Sequence, residues 1–209
     1  MSELMMKIDF DVWDSIKGFM DGDEAKRLYS ISLMAAENGP ILEIGSYCGK
    51  SACIIGSACK EKKSILYSID HHKGSEEQQP GEEYFDPDLF DKQLSRINTF
   101  PFFQETITRT SLENTVVPIV APSNIAGKMW KTPISMLFID GGHSFEAVHE
   151  DFLTWTSHIK PSGFLVIHDI FKDPKKGGQA PWQVYEIACK SGDYEELEMT
   201  KTLGVLKRK

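Results

Sequence analysis

The sequence predicts an α/β protein built on a doubly wound, mostly parallel sheet, and three observations carry that expectation. Short β-rich runs alternate with helical stretches along most of the 209 residues. The run Phe164-Leu-Val-Ile-His168 is nearly all apolar, as a strand covered by helices on both faces requires. Two further runs end in an acid, at Asp70 and Asp140, and another enters a glycine turn at Gly45, so chemistry collects at strand ends.

In chain order, residues 24–38 place Leu28, Ile31 and Ala35 at helical spacing before Asn38-Gly39-Pro40 stops the helix. Ile41-Leu-Glu-Ile44 reads as the first strand, Gly45-Ser-Tyr-Cys-Gly49 as its turn, and Lys50 to Lys60 as a helix with Ser51, Ile55 and Ala58 on one face. Ser64–Asp70 is the second strand. Val116-Val-Pro-Ile-Val120 is the third, and Pro118 argues against an interior position for it. Ile134–Asp140 is the fourth. The helix after it should carry Phe145, Val148, Phe152, Trp155 and Ile159 into the core at 3-4-3-4 spacing and stop at Lys160-Pro-Ser-Gly163. Phe164–His168 follows as the fifth strand, a helix opens at Pro181 and ends near Ser191-Gly192, and residues 194–200 and 203–207 read as closing strands. With no internal repeat and no linker, residues 1–209 form one domain with an N-terminal helical segment over 1–39. Two Gly-, Pro- and charge-rich stretches, 71–87 and 171–181, follow strand ends and are candidate lid loops over a site.

Composition narrows the function classes. Lys and Arg number 23 against 31 Asp and Glu, a net charge of −8 that disfavours a nucleic-acid partner. No apolar run approaches the roughly 18 residues of a membrane span. The first ten residues carry acids early and have neither a basic nor an apolar signal region, so a cytoplasmic location is expected. Cys48, Cys53, Cys59 and Cys189 match no metal or redox spacing and read as reduced packing residues.

The glycine turn lets the backbone approach a ligand, and the helix behind it presents free N–H groups to an anion. A dinucleotide fingerprint needs Gly-x-Gly-x-x-Gly, whereas this turn is Gly45-x-x-x-Gly49. A phosphate-binding P-loop is matched at its end by Gly49-Lys50-Ser51 but has Ile44 where its first glycine belongs. The shorter loop, with Glu43 before it and Asp70 placed to accept ribose hydroxyl protons, fits the nucleoside and amino-acid ends of S-adenosylmethionine better.

The run Leu42-Glu-Ile-Gly-Ser-Tyr-Cys-Gly-Lys-Ser51, with Ile69-Asp-His-His72, Phe138-Ile-Asp-Gly-Gly-His-Ser144 and Val166-Ile-His-Asp169, resembles the class I S-adenosylmethionine-dependent methyltransferases. More narrowly it is similar to the small-molecule branch containing macrolide and macrocin O-methyltransferases, over about residues 40–209. The resemblance implies a Rossmann-like seven-stranded sheet with an antiparallel last strand. It implies cofactor contacts at Glu43, Gly45, Ser46, Tyr47, Gly49, Ser51 and Asp70. The segment after the third strand should touch adenine; it usually carries an acid, and here it reads Ala121-Pro122-Ser123, with Ser123 the candidate contact. The macrolide relatives hold a divalent metal with strand-end acids, which implies Asp140 and Asp169 as ligands beside His168, with Mg²⁺ or Mn²⁺ as the ion, and His143 as general base next to a catalytic Asp140. Because His168 stands where that pattern has an acid, a transition ion suits the set better than Mg²⁺. The function implied is O-methylation of a small-molecule acceptor, with a homodimer left open. A P-loop-like nucleotide hydrolase and a non-catalytic S-adenosylmethionine-binding module remain the alternatives.

Bland readings compete at several of these positions. Asp140-Gly-Gly-His143 also reads as a tight turn, His143 as a helix-capping residue, and His71, His72 and His149 as solvated histidines. No Gly-x-Ser-x-Gly elbow accompanies Ser144, which excludes that hydrolase class.

Overall fold

The computed structural model describes residues 8–142 and 144–209. His143, the expected general base, lies outside the described residues. The chain opens with a short helix α1 (Phe10–Asp14) and then α2 (Gly22–Ala36). Asp21 and Glu24 form a reciprocal capping box at the start of α2, satisfying backbone donors that the first turn leaves open.

The main elements follow as β1 (Ile41–Ile44), α3 (Lys50–Lys62), β2 (Leu66–Asp70), the hairpin β3 (Phe90–Asp91) and β4 (Arg96–Ile97), and α4 (Phe100–Arg109). Next come β5 (Val116–Val120), α5 (Ser123–Gly127), β6 (Ile134–Ile139), α6 (Phe145–Trp155), β7 (Ile159–Ile167), α7 (Ala180–Lys190), β8 (Tyr194–Glu196) and β9 (Gly204–Arg208). Seven strands form one sheet in the order β5-β2-β1-β6-β7-β9-β8, and only β9, antiparallel to both neighbours, reverses direction. The expected fold class is the one observed.

Helices cover both faces of the sheet. Met136 and Phe138 of β6 join the core under α2 and α3, whereas Leu137 and Ile139 join the core under α6 and α7. With both faces buried, every residue of β6 is apolar or small, which explains the unbroken hydrophobic run. β5 is an edge strand paired only with β2, the position that Pro118 permits.

Two expectations need correction. α6 ends at Trp155, a single 3₁₀ turn covers residues 156–158, and Ile159 pairs with Ile134 as the first residue of β7. Ile159 fits the helical spacing because it packs in the same core as Trp155 from a different element. Lys160–Gly163 is accordingly an irregularity inside β7, where the register to β6 shifts between Ile134 and Met136. Phe145 is 37% exposed and stacks on His149, because the first residue of α6 lies at the solvent end of the helix.

Candidate active site

The chain leaves β1 for α3 on one side of the sheet and returns to β6 on the other, so a crevice opens where the winding reverses. A cavity of about 360 Å³ lies there, at the carboxyl ends of β1, β2 and β6. Its wall includes Gly45, Ser46, Tyr47, Ser51, Asp70, Ser123, Asp140 and Asp169, bringing most of the sequence-predicted residues together.

The turn after β1 is shaped by backbone geometry. Gly45 has φ +89°, and a Cβ there would meet the Asp140 carbonyl oxygen at 2.0 Å, so only glycine lets β1 and β6 run this close at their ends. Asp70 clamps the turn from β2: its carboxylate accepts the Tyr47 N–H at 2.8 Å and the His72 N–H at 2.7 Å. The second lone pair of each oxygen stays available for ligand hydroxyls. Ser46 Oγ is buried with no hydrogen-bond partner among the described residues. That orphan and the clamped carboxylate suit a polar ligand such as the ribose and amino-acid end of S-adenosylmethionine.

Two residues of the predicted cofactor set do not line the cavity. Glu43 is fully buried, receiving Ser68 Oγ at 2.6 Å and Ser51 Oγ at 3.0 Å, and burial pushes its carboxyl up to about 8. Gly49, with φ +92°, faces Thr106 and Phe103 of α4, so its conformation and packing, and not a ligand, account for the glycine. Both support the wall from behind.

The acids at the ends of β6 and β7 meet around a buried imidazole. His168 Nδ1 lies 2.9 Å from Asp140 Oδ1 and 3.6 Å from Asp169, while Nε2 faces Glu24 of α2 at 3.2 Å. Burial opposes charging this ring, but Asp140, Glu24 and Asp169 outweigh it and hold the His168 pKa well above the usual histidine range. One ligand atom from each of Asp140, His168 and Asp169 falls within 4.8 Å of the others. The donor set fits a divalent ion: two carboxylate oxygens and Nδ1 would bind, with the Nε2 proton held by Glu24 in the carboxylate–histidine arrangement common behind metal ligands.

Sequence reasoning missed several wall residues. Gly18, Phe19 and Met20 close the cavity from the N-terminal segment, which docks through Lys50 Nζ on the Ile16 carbonyl at 3.0 Å and over the Trp13 ring at 4.5 Å. Lys50 also reaches the cavity wall, but its Nζ is engaged by the Ile16 carbonyl and the Trp13 ring. No periodic signal pointed to residues 18–20, because their role depends on a tertiary contact. Asn124, Glu150 and Asp151 also reach the wall. Gly74, Ser75 and Gln78 of the first predicted lid line it, and no residue of 171–181 does. His72 is 3% exposed and hydrogen-bonded to Thr99 Oγ1 at 2.7 Å, not solvated, because the turn after Asp70 points it into the packing of α4.

The parallel sheet with a reversed last strand and a cavity at its switch point is the Rossmann-like fold of the class I methyltransferases. The chain belongs to the methyltransferase domain family, whose model matches residues 42–170. Solved structures share the fold at low identity. The O-methyltransferase TomG from Streptomyces achromogenes, involved in tomaymycin synthesis and in complex with S-adenosylmethionine, aligns with TM-score 0.64 and 13% identity over 98% of this chain and 92% of its own. An O-methyltransferase from Bacillus cereus in complex with S-adenosylhomocysteine gives TM-score 0.63 and 13% identity over 99% and 94%. The O-methyltransferase NovP gives 0.64 and 14% over 88% and 79%. The protein is an S-adenosylmethionine-dependent methyltransferase.

Proposed function

We propose that the enzyme methylates an oxygen of a small-molecule acceptor. The observation that carries this reading is the pairing of two ends in one cavity: Asp70 clamped under the Gly45–Gly49 turn, and the carboxylates of Asp140 and Asp169 on the floor. The O-methyltransferases that share the fold support it, and the net charge of −8 speaks against a nucleic-acid acceptor.

Asp70 accepts the ribose hydroxyls, while Ser46, Tyr47 and the Gly45 backbone border the amino-acid end. Glu43 acts through Ser51, Gly49 through the seating of α3 against α4, and Ser123 borders the base. The bound cofactor supplies a sulfonium-activated methyl group. The acceptor oxygen, entering beside Phe19 and Met20, attacks the methyl carbon in line as the carbon–sulfur bond breaks. His143 takes the acceptor proton as general base, and Asp140 orients the acceptor. A divalent ion on Asp140, His168 and Asp169 would supply a Lewis acid for the acceptor oxygen. Residues 71–87, which already reach the cavity wall through Gly74, Ser75 and Gln78, act as a lid, and 171–181, which do not line the cavity here, would have to close onto it as a second; stronger hydrogen-exchange protection of both in the ligand-bound enzyme is the expected sign.

Calorimetry with S-adenosylmethionine, S-adenosylhomocysteine and ATP tests the cofactor assignment. The first two should bind and ATP should not; preferential ATP binding would restore the hydrolase alternative. Asp70→Asn should weaken S-adenosylhomocysteine by about 1.5–3 kcal/mol, and unchanged affinity in the folded variant removes the ribose role. Against a panel of hydroxylated acceptors with radiolabelled methyl donor, His143→Ala should keep cofactor affinity and lose about 10²–10⁴ in kcat. Cofactor binding without turnover on any acceptor would leave a binding module.

A further inference from the structure

Between α1 and α2 the chain runs as a short strap that bridges the start of α3 to the 3₁₀ turn before β3 (Pro87–Leu89). Both ends of the strap are fixed. On the α1 side Trp13 and Ile16 are buried, Trp13 Nε1 donates to the Lys50 carbonyl at 3.2 Å, and Lys50 Nζ donates to the Ile16 carbonyl at 3.0 Å. On the α2 side Asp21 caps the helix and pairs with Lys201 Nζ at 2.5 Å. Between these anchors Gly18, Phe19 and Met20 line the cavity. Gly18, at φ +149°, passes so close to α3 that a Cβ would meet the Lys50 side chain at 2.9 Å.

The middle of the strap is held ionically. Lys17 Nζ donates to Asp86 Oδ2 at 2.5 Å and to Asp88 Oδ2 at 3.0 Å, and these two carboxylates keep its ammonium well above the ordinary lysine range. Phe19 stands edge-on to Tyr84 with ring centroids 5.5 Å apart. The loop it meets is itself tied to the cavity: the Tyr84 N–H donates to the Glu77 carbonyl at 3.1 Å, beside Gln78 on the wall, and Leu89 packs with Cys48 and Ile97. Phe19 is 61% exposed and Tyr84 44%, so their contact excludes little water and the ion pairs carry the closure. The Lys17 side chain is 34% exposed, and ion pairs at such exposure are weak, open thermally and are screened by salt. A segment with buried ends is thus closed over the cavity by a contact that opens readily.

We propose that residues 17–20 and the loop over 74–88 form a two-part gate on the cavity, latched by Lys17 on Asp86 and Asp88, and that the latch must open for a ligand to enter or leave. The proposal rests on the S-adenosylmethionine reading of the cavity and gives the 71–87 lid a partner from the N-terminal segment. Lys17, Asp86 and Asp88 stand outside the cavity wall, so unlatching leaves the ligand's own contacts in place. A latch closed in both the free and the bound enzyme limits both directions of exchange. Breaking it therefore raises association and release together and moves the affinity little, whereas loss of a wall contact raises release alone.

Stopped-flow fluorescence on the full chain with S-adenosylhomocysteine reads the two rates separately. Lys17→Met and Asp86→Asn should each raise both rate constants about three- to fivefold while Kd stays within about twofold, and the double variant should be no faster than the faster single one. In the wild type, about 0.5 M NaCl in place of about 0.05 M should have the same effect, and in the double variant almost none. Unchanged rates in a folded Lys17→Met overturn the proposal, as do effects that multiply in the double variant or a faster release with association unaltered. A wild type that binds no S-adenosylhomocysteine removes the cofactor reading, and hydrogen exchange on the ligand-free chain then decides the latch by itself. There Lys17→Met should loosen amides within 17–20 and 84–88 together; loosening of one segment alone, or of neither, overturns it.

Discussion

Single side chains at this site work mostly through neighbours. Glu43 stands in the first motif, yet among the described residues its carboxyl is hydrogen-bonded to Ser51 and Ser68 and burial pushes it up to about 8. In the unfolded chain a glutamate ionises near 4.3, so between the two values folding must keep a proton that the unfolded state releases. Stability contributed by this group is thus unaffected below about pH 4, declines as pH rises toward 8, and levels off above. Glu43→Gln, neutral and nearly isosteric, should relieve the decline. Thermal melts from pH 5 to 9 should show a gain over wild type that grows to about 4–5 kcal/mol near pH 8. A gain independent of pH would show that Glu43 is already ionised in the fold. The motif made Glu43 legible as a site residue; its lack of access to the cavity was not, because burial depends on what packs over β1.

At the scale of elements, the β1–α3 turn shows how alike two glycines look in sequence and how differently they act. Gly45 separates the ends of β1 and β6 by backbone contact, and the atom opposing its missing Cβ is the Asp140 carbonyl oxygen, which cannot move without the sheet. Gly49 opposes the Thr106 methyl at 3.0 Å and the Phe103 ring at 3.3 Å, side chains able to shift slightly. Both have positive φ, costing a non-glycine residue about 1–2 kcal/mol. Gly45→Ala should therefore lose at least about 2 kcal/mol more than Gly49→Ala in urea unfolding; equal losses would mean that left-handed backbone alone explains both. The elements themselves were readable where periodicity spoke: α2, α3, α7, β1, β2, β5, β6 and β9 fall close to expectation, whereas β8 ends at Glu196, four residues short of the expected strand over 194–200. The end of α6 was not, since Ile159 satisfies helical spacing while its partner Ile134 recruits it to β7.

In the whole molecule, the N-terminal segment and the last turn before β9 converge on the side chains at the ends of β6 and β7. Glu24 of α2 accepts Thr202 N–H at 2.8 Å and Thr202 Oγ1 at 2.7 Å, and faces His168, which faces Asp140. If the Asp140, His168 and Asp169 cluster holds a divalent ion, Mn²⁺ titrated into the enzyme and followed by electron paramagnetic resonance should bind more tightly than Mg²⁺ competes. Asp169→Ala should then weaken Mn²⁺ at least tenfold. Undiminished binding in that variant would place any ion elsewhere.

The amino-acid sequence by itself determined the order of the sheet's strands and of helices α2, α3, α6 and α7, the glycine turn and the acids at strand ends, because these are encoded by local periodicity and by residues adjacent in the chain, whereas α4, α5 and the β3–β4 hairpin had no such signal. Tertiary structure alone decided that Glu24, 144 residues from His168, pairs with it, that Phe19 and Met20 close the cavity, and that Asp151 enters from α6. Such contacts join elements that the sequence separates. They follow from which faces pack together, and no local pattern along the chain records that.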